Sequence, residues 1–207
     1  MERRAKPASR TGRRFPDLGG VGVGKGAPLV VGLGNPGRKY RHTRHNAGRT
    51  AAERILEKSE LVAGGDWSEG YVAVASYSGR RFLVMIPGVF MNVSGRAVAP
   101  VVERYRIAPE RVVVMHDDID IPLGEVRVKS GGGTGGHLGL ASMIEALGDE
   151  GFARVRIGVG RPPTGMDPAD YVLSDFSEKE VGEYEASIER AAGAALEMVM
   201  GETDGAG

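Results

Sequence analysis

The sequence predicts an α/β fold: a single-domain three-layer sandwich, with a mixed twisted sheet and helices on both faces. Three observations predict it. Short runs rich in Val and Ile, of strand length, alternate with longer segments of helical periodicity. Gly or Pro bounds most of these runs, as it bounds strands. Two of them, Tyr71–Ser76 and Arg81–Ile86, lie close enough to form a hairpin, so the sheet is mixed rather than wholly parallel. A length of 207 residues suits one domain, and 41% hydrophobic residues can fill its core.

In chain order, residues 1–27 read as a disordered basic arm. Arg3, Arg4, Lys6, Arg10, Arg13, Arg14 and Lys25 stand there among Gly, Pro and Ser. Such an arm either touches RNA weakly or is a solvated extension. Residues 28–200 form the domain. Pro28–Leu33 is its first strand, and a helix follows at about Ala47–Val62. After the hairpin comes a helix over Gly95–Tyr105, in which Pro100 either kinks the chain or sits near the first turn. Strands Arg111–Met115 and Glu125–Lys129, a helix Leu138–Leu147 and a strand Arg154–Val159 follow. The last helix, Glu178–Met200, opens on Ser177 with Glu180 three residues later, the spacing of a capping box. Val181, Tyr184, Ile188 and Ala191 give it one apolar face. Residues 201–207 read as a frayed tail.

Composition removes several function classes. The chain has no cysteine, which excludes disulfides, zinc–thiolate centres and cysteine nucleophiles. No apolar run approaches the roughly 18 residues of a membrane span, and no apolar block follows the basic N-terminus as in a secretory signal. Net charge is zero, so a nucleic-acid partner needs a local basic face.

The stretch Gly32-x-Gly34-x-x-Gly37 has the spacing of a dinucleotide-binding fingerprint. That motif works only when a helix starts inside it, because the helix N-terminus holds the pyrophosphate. Here Pro36 and Gly37 are followed by a polar run with no helical apolar face, and the helix starts about ten residues late, near Asn46. The acids at the spacing of a ribose ligand, Glu53 and Glu57, fall within the helix. A nicotinamide-dependent oxidoreductase fails both contexts.

Polar clusters follow the apolar strands. They are "PGVFMNVSG" with Asn92, "HDDIDIP" with His116, Asp117, Asp118 and Asp120, "SGGGTGGH" from Ser130 to His137, and "RPP" from Arg161 to Pro163. Ligands of open α/β sheets bind beyond the carboxyl ends of the strands. If the first, third and fourth strands run parallel, Asn35, His45, Asn92 and Asp117 converge there. A histidine held by a buried carboxylate is a general base for water, and asparagine amides donate to an oxyanion. No G-x-S-x-G elbow supplies a serine nucleophile. The aspartates of "HDDID" either bind Mg²⁺ or cap turns and face solvent. The glycine run 131–136 is an anion nest, a mobile lid or a plain flexible loop.

Together, "GLGNPGRKYRHTRHNAG", "PGVFMNVSGRAV", "HDDIDIPLGEVRVKSGGGTGGH" and "FARVRIGVGRP" resemble the bacterial peptidyl-tRNA hydrolase family, over about Leu29 to Val199. The resemblance implies a monomeric, cytoplasmic α/β sandwich with no metal and no cofactor. It implies cleavage of the ester between a peptide and the tRNA 3′ end, which recycles tRNA from stalled or aborted translation. His45 matches the catalytic base, Asp117 the residue that orients it, and Asn35 and Asn92 the amides near the scissile ester. Tyr40 and Phe90 match residues at the substrate end of the groove, and His137 the histidine of the glycine-rich loop. Arg127, Lys129 and Arg156 match basic positions of the tRNA-binding face.

In one place the chain departs from the pattern. The family reads "GGHNG" where this chain has Gly135-Gly136-His137-Leu138-Gly139. Leu138 neither donates nor accepts a hydrogen bond, and loss of one preorganised donor typically costs about 10²–10³ in rate. The alternative to an active hydrolase is therefore an RNA-binding member of the same fold with weakened catalysis. A plainer reading is that the loop shifts and Leu138 merely packs.

Overall fold

The computed structural model describes residues 16, 18, 21–67 and 69–201. Its strands are β1 (Leu29–Gly32), β2 (Glu60–Trp67), β3 (Gly70–Tyr77), β4 (Arg80–Pro87), β5 (Val112–Asp118), β6 (Val126–Ser130) and β7 (Ala153–Gly158). Its α-helices are α1 (Ala47–Lys58), α2 (Ser94–Tyr105), α3 (Leu138–Leu147), α4 (Pro168–Val172) and α5 (Glu178–Gly201). The strands form one sheet in the order β2-β3-β4-β1-β5-β7-β6. β1 pairs in parallel with both β4 and β5, and β7 runs parallel to β5. β2, β3 and β6 are antiparallel to their neighbours. The carboxyl ends of β1, β4, β5 and β7 thus open at one end of the sheet.

Alternation along each strand divides the core. Val30, Val84, Val113 and Val155 point to one face, where Ala51 and Ile55 of α1 and Ile188 and Ala195 of α5 cover them. Leu29, Val31, Leu83 and Val114 point to the other, against Val98 and Val101 of α2 and Leu140 and Met143 of α3. β1 is buried on both faces, which explains its uninterrupted apolar sequence.

Gly32 of the dinucleotide-like spacing has a packing role, shared with Gly48 of α1. A Cβ on Gly48 would lie 2.1 Å from the Met115 carbonyl oxygen, and one on Gly32 would lie 2.4 Å from the Ala52 Cβ. These two glycines let α1 sit directly on β1 and β5. That close seat sets the residues just before α1 against the end of β5.

Several expectations need correction. The first helix ends at Lys58 rather than Val62, because the chain turns at Ser59 into β2, which the sequence reading lacks. β2 is only partly buried and carries Gly64 and Gly65, so neither burial nor propensity marks it as a strand. The arm of residues 1–27 is not wholly free. Leu18 is 2% exposed in the α2–α3 side of the core, Val21 and Val23 pack beside it, and the Gly26 N–H donates to the Tyr105 carbonyl at 2.7 Å. These apolar residues were diluted by the glycines around them. Residues 1–15 of the arm and 202–207 of the tail lie outside the described residues, and Gly201 closes α5. α2 runs through Pro100 as one helix. Half of the capping box at Ser177 forms: the Glu180 carboxylate accepts the Ser177 N–H at 2.7 Å.

Candidate active site

His45 is placed by anchors on both sides of it in the chain. The buried Arg44 guanidinium donates to Ser174 Oγ at 3.0 Å and to Glu180 at 2.7 Å, and lies over the rings of Tyr171 and Phe176. This ties the loop to the segment leading into α5. Asn46 binds in the opposite direction. Its Oδ1 accepts the Asn35 N–H at 2.7 Å, and its Nδ2 donates to the Asn35 carbonyl at 3.0 Å. Between them His45 has little freedom, and its Nδ1 lies 2.9 Å from Asp117 Oδ1 at the end of β5.

Asp117 has a second imidazole. His137 Nε2 lies 3.0 Å from the same Oδ1. The other ring nitrogen of His137 settles the tautomer. Nδ1 accepts the N–H groups of Gly139 and Leu140, at 3.1 and 3.3 Å, as the N-cap of α3. It therefore carries no proton, so Nε2–H is the donor to Asp117. With Asp117 deprotonated, His45 donates through Nδ1–H. In the neutral ring Nε2 then carries no proton and is left for the cleft.

The charges follow from burial and pairing. Burial alone would raise the Asp117 carboxyl, but the two imidazoles override it and hold the group well below the usual carboxylate range. Burial disfavours the charged form of His45, yet the Asp117 carboxylate and its hydrogen bond prevail, so His45 sits above its ordinary value. His116, beside them in β5, is pushed down to about 3 by burial and stays neutral. Its Nδ1 donates to the Asp117 carbonyl at 2.7 Å.

A cleft of about 940 Å³ opens over these groups. Asn35, Tyr40, His45, Phe90, Asn92, Asp117, Lys129, His137, Leu138 and Arg156 all line it. Arg127 does not. It pairs with Glu125 at 2.7 Å beside the cleft, directly across from Arg156 in the strand register. The convergence expected from parallel strands is therefore met. Asn35 Oδ1 accepts the Met91 N–H at 2.9 Å, which fixes the amide and leaves its NH₂ as a donor. Asn92 is exposed, and the rings of Tyr40 and Phe90 meet edge-on at 6.3 Å.

Arg154, buried at 3% exposure, donates to the carbonyls of Gly132 and Gly133. It thereby holds the glycine run, where Gly131, Gly132, Gly135 and Gly136 all take positive φ. Sequence reasoning missed Arg154, although it stands two residues before Arg156 on the same face of β7. It also missed Asn46, whose partner is eleven residues away and leaves no local signal.

His45, Asp117 and His137 are close enough to suggest metal ligands. The proton positions argue otherwise: a metal on His137 Nε2 would force a proton onto Nδ1, against two N–H donors. The other aspartates of "HDDID" are engaged, Asp118 with Arg156 at 2.8 Å and Asp120 with Arg161 at 2.6 Å.

What this arrangement can do is take a proton from water at His45 Nε2 and keep the resulting charge beside a carboxylate. In class, then, the chain is an α/β protein with a His–Asp–His set lining a cleft. The comparisons with known proteins carry this further. The family described as Peptidyl-tRNA hydrolase matches residues 29–206. A peptidyl-tRNA hydrolase of Frankia alni is 46% identical over 177 residues, 86% of this chain and 88% of the relative. That of Mycobacterium tuberculosis is 44% identical over 167 residues, 80% and 87% of the two chains. The crystal structure of Acinetobacter baumannii peptidyl-tRNA hydrolase superposes with a TM-score of 0.78 at 33% identity, covering 87% of this chain and 92% of that one. This chain belongs to the peptidyl-tRNA hydrolase family.

Proposed function

We propose that the chain hydrolyses the ester joining a peptide, or an N-blocked aminoacyl group, to the 3′ end of tRNA. The observation that carries this is the hydrogen-bond arrangement around Asp117, which commits His45 Nδ1 to the carboxylate and makes Nε2 the basic nitrogen of the neutral ring, beside the cleft. His45 takes a proton from water. The hydroxide forms a bond to the ester carbonyl carbon, and the Asn35 amide donates to the developing oxyanion. The carbon–oxygen bond to the ribose then breaks, and the imidazolium returns its proton to the leaving oxygen. Asp117 steadies that imidazolium throughout. Tyr40, Phe90 and Asn92 receive the parts of the substrate on either side of the scissile ester.

The tRNA body lies along the β6–β7 edge. Arg127 and Lys129 of β6 stand opposite Arg156 and Arg154 of β7. Cations facing cations across strands weaken a sheet, and a phosphate backbone is the partner that makes such a surface favourable. The protein works as a monomer in the cytoplasm. No described helix is long and apolar enough to cross a membrane.

Incubation with a defined N-blocked aminoacyl-tRNA tests the reading. The parent should release tRNA and His45→Ala should not. Equal inertness of the two, with tRNA still bound, would favour the RNA-binding alternative raised by Leu138.

A further inference from the structure

Leu138 is 58% exposed, the highest value among the described large apolar side chains, and it faces the cleft. Nothing in α3 requires it there, since the helix is capped by the His137 ring. Phe90, 55% exposed, lines the same cleft. Their chain neighbours pack together: a Cβ on Gly139 would meet Met91 Sδ at 2.5 Å. Each also adjoins the reacting groups. Leu138 follows the residue that holds Asp117, and Phe90 precedes the residue whose N–H holds Asn35. Leu173, 42% exposed, adds a third apolar side chain to the lining.

The cleft is thus divided by chemistry. Lys129, Arg154 and Arg156 supply its cationic part, and Phe90, Leu138 and Leu173 its apolar part. Resting on the hydrolase reading above, we propose that Leu138 and Phe90 seat the side chain of the acyl residue at the scissile ester. This makes large apolar residues at that position the preferred substrates. Phosphates belong to the cationic part. Leu138 offers a nucleobase neither a ring to stack on nor a hydrogen-bond partner for its edge. An aliphatic or aromatic side chain, by contrast, gains from displacing water over leucine.

The test uses one tRNA body charged with N-acetyl-leucine, N-acetyl-glycine or N-acetyl-aspartate. The parent should show kcat/KM about tenfold higher for the leucyl than for the glycyl ester, the scale set by a few buried methylenes. Leu138→Asn and Leu138→Ala should each reduce that ratio to about twofold, Leu138→Ala by a loss on the leucyl ester and Leu138→Asn whatever its restored amide does to the rates of all three. Because Leu138 is exposed, both variants should fold. A ratio near one in the parent, or one that neither variant changes, overturns the proposal. So does an equal slowing of all three esters, which would assign the apolar part to the 3′ nucleotide. Failure to hydrolyse any ester while binding tRNA would sink the hydrolase reading itself, and this inference with it.

Discussion

The carboxyl end of β5 and the β6–β7 edge treat charge in opposite ways. At the carboxyl end of β5, every charge is matched. Asp117 accepts from His45 and His137, and the other ring nitrogen of His137 is fixed as the cap of α3. At the β6–β7 edge, Arg127 faces Arg156 and Lys129 faces Arg154 across the ladder. Glu125 and Asp118 neutralise only the two arginines they touch, and Arg154 is engaged with backbone carbonyls. Lys129 has no ion-pair partner among the described residues. A histidine that is to act as a base needs a single tautomer, and a closed set of partners gives it one. A surface for a polyanion needs charge left over. The same sheet carries both because the closed set lies in the core and the surplus lies on an edge.

The largest way to break the matched end is to remove its base. His45→Ala should lower kcat by about 10³–10⁴, with tRNA affinity unchanged within about threefold. A comparable loss of affinity would mean that His45 holds substrate rather than activates water. Asp117→Asn should act less severely, by about 10²–10³ in kcat, and it carries a pH signature. The base must be neutral, so the rate rises with pH through the His45 pKa, which lies above the ordinary 6.5 in the parent. Without the carboxylate only burial remains, which lowers that pKa, so the acid limb of kcat/KM against pH should move to lower pH. A limb that stays in place would remove Asp117 from the proton arrangement.

A third prediction concerns stability at the same end. His116 titrates near 3 in the folded chain and near 6.5 unfolded. Between those values the unfolded chain binds a proton that the folded chain refuses, so stability falls as pH falls. Between pH 7 and pH 5 this group alone costs about 2 kcal/mol. His45 works in the opposite sense, because its folded pKa is raised and its charged form is favoured by folding. Urea unfolding at the two pH values should therefore show a smaller acid loss in His116→Gln than in the parent. Equal losses would mean that His116 is not the buried neutral group described.

Much of the matched end was legible because its residues sit in loops straight after strands that announce themselves. β1 and β5 are continuous apolar runs, and parallel neighbours bring Asn35, His45 and Asp117 together with no further information. What was not legible depends on partners distant in sequence. His137 reads as a loop histidine until α3 starts at Leu138 and two amides fix its Nδ1. Asn46 reads as the start of a helix until Asn35 lies against it. β2 stayed hidden because its pairing with β3, not its own composition, makes it a strand. The edge was half legible. The family resemblance gave Arg127, Lys129 and Arg156, but the register that sets the first two opposite Arg156 and Arg154 exists only in the folded sheet.

The smallest effect sharpens the comparison most, because it has two signs. Lys129 lies opposite Arg154 and lines the cleft. If its charge is surplus to the fold, Lys129→Gln should make the folded protein slightly more stable, by a few tenths to about 1 kcal/mol, as a like-charge cross-strand pair is relieved. The same substitution should weaken tRNA binding and reduce the slope of log affinity against log salt by about 1. Kcat at saturating substrate should not change, since Lys129 does not touch the His45–Asp117–His137 set. A residue that only supports the fold would lose stability when altered, and one that only decorates the surface would leave the salt slope alone. Only a cation held for a polyanion gains stability and loses affinity together, so urea unfolding beside a salt titration of tRNA binding separates the three.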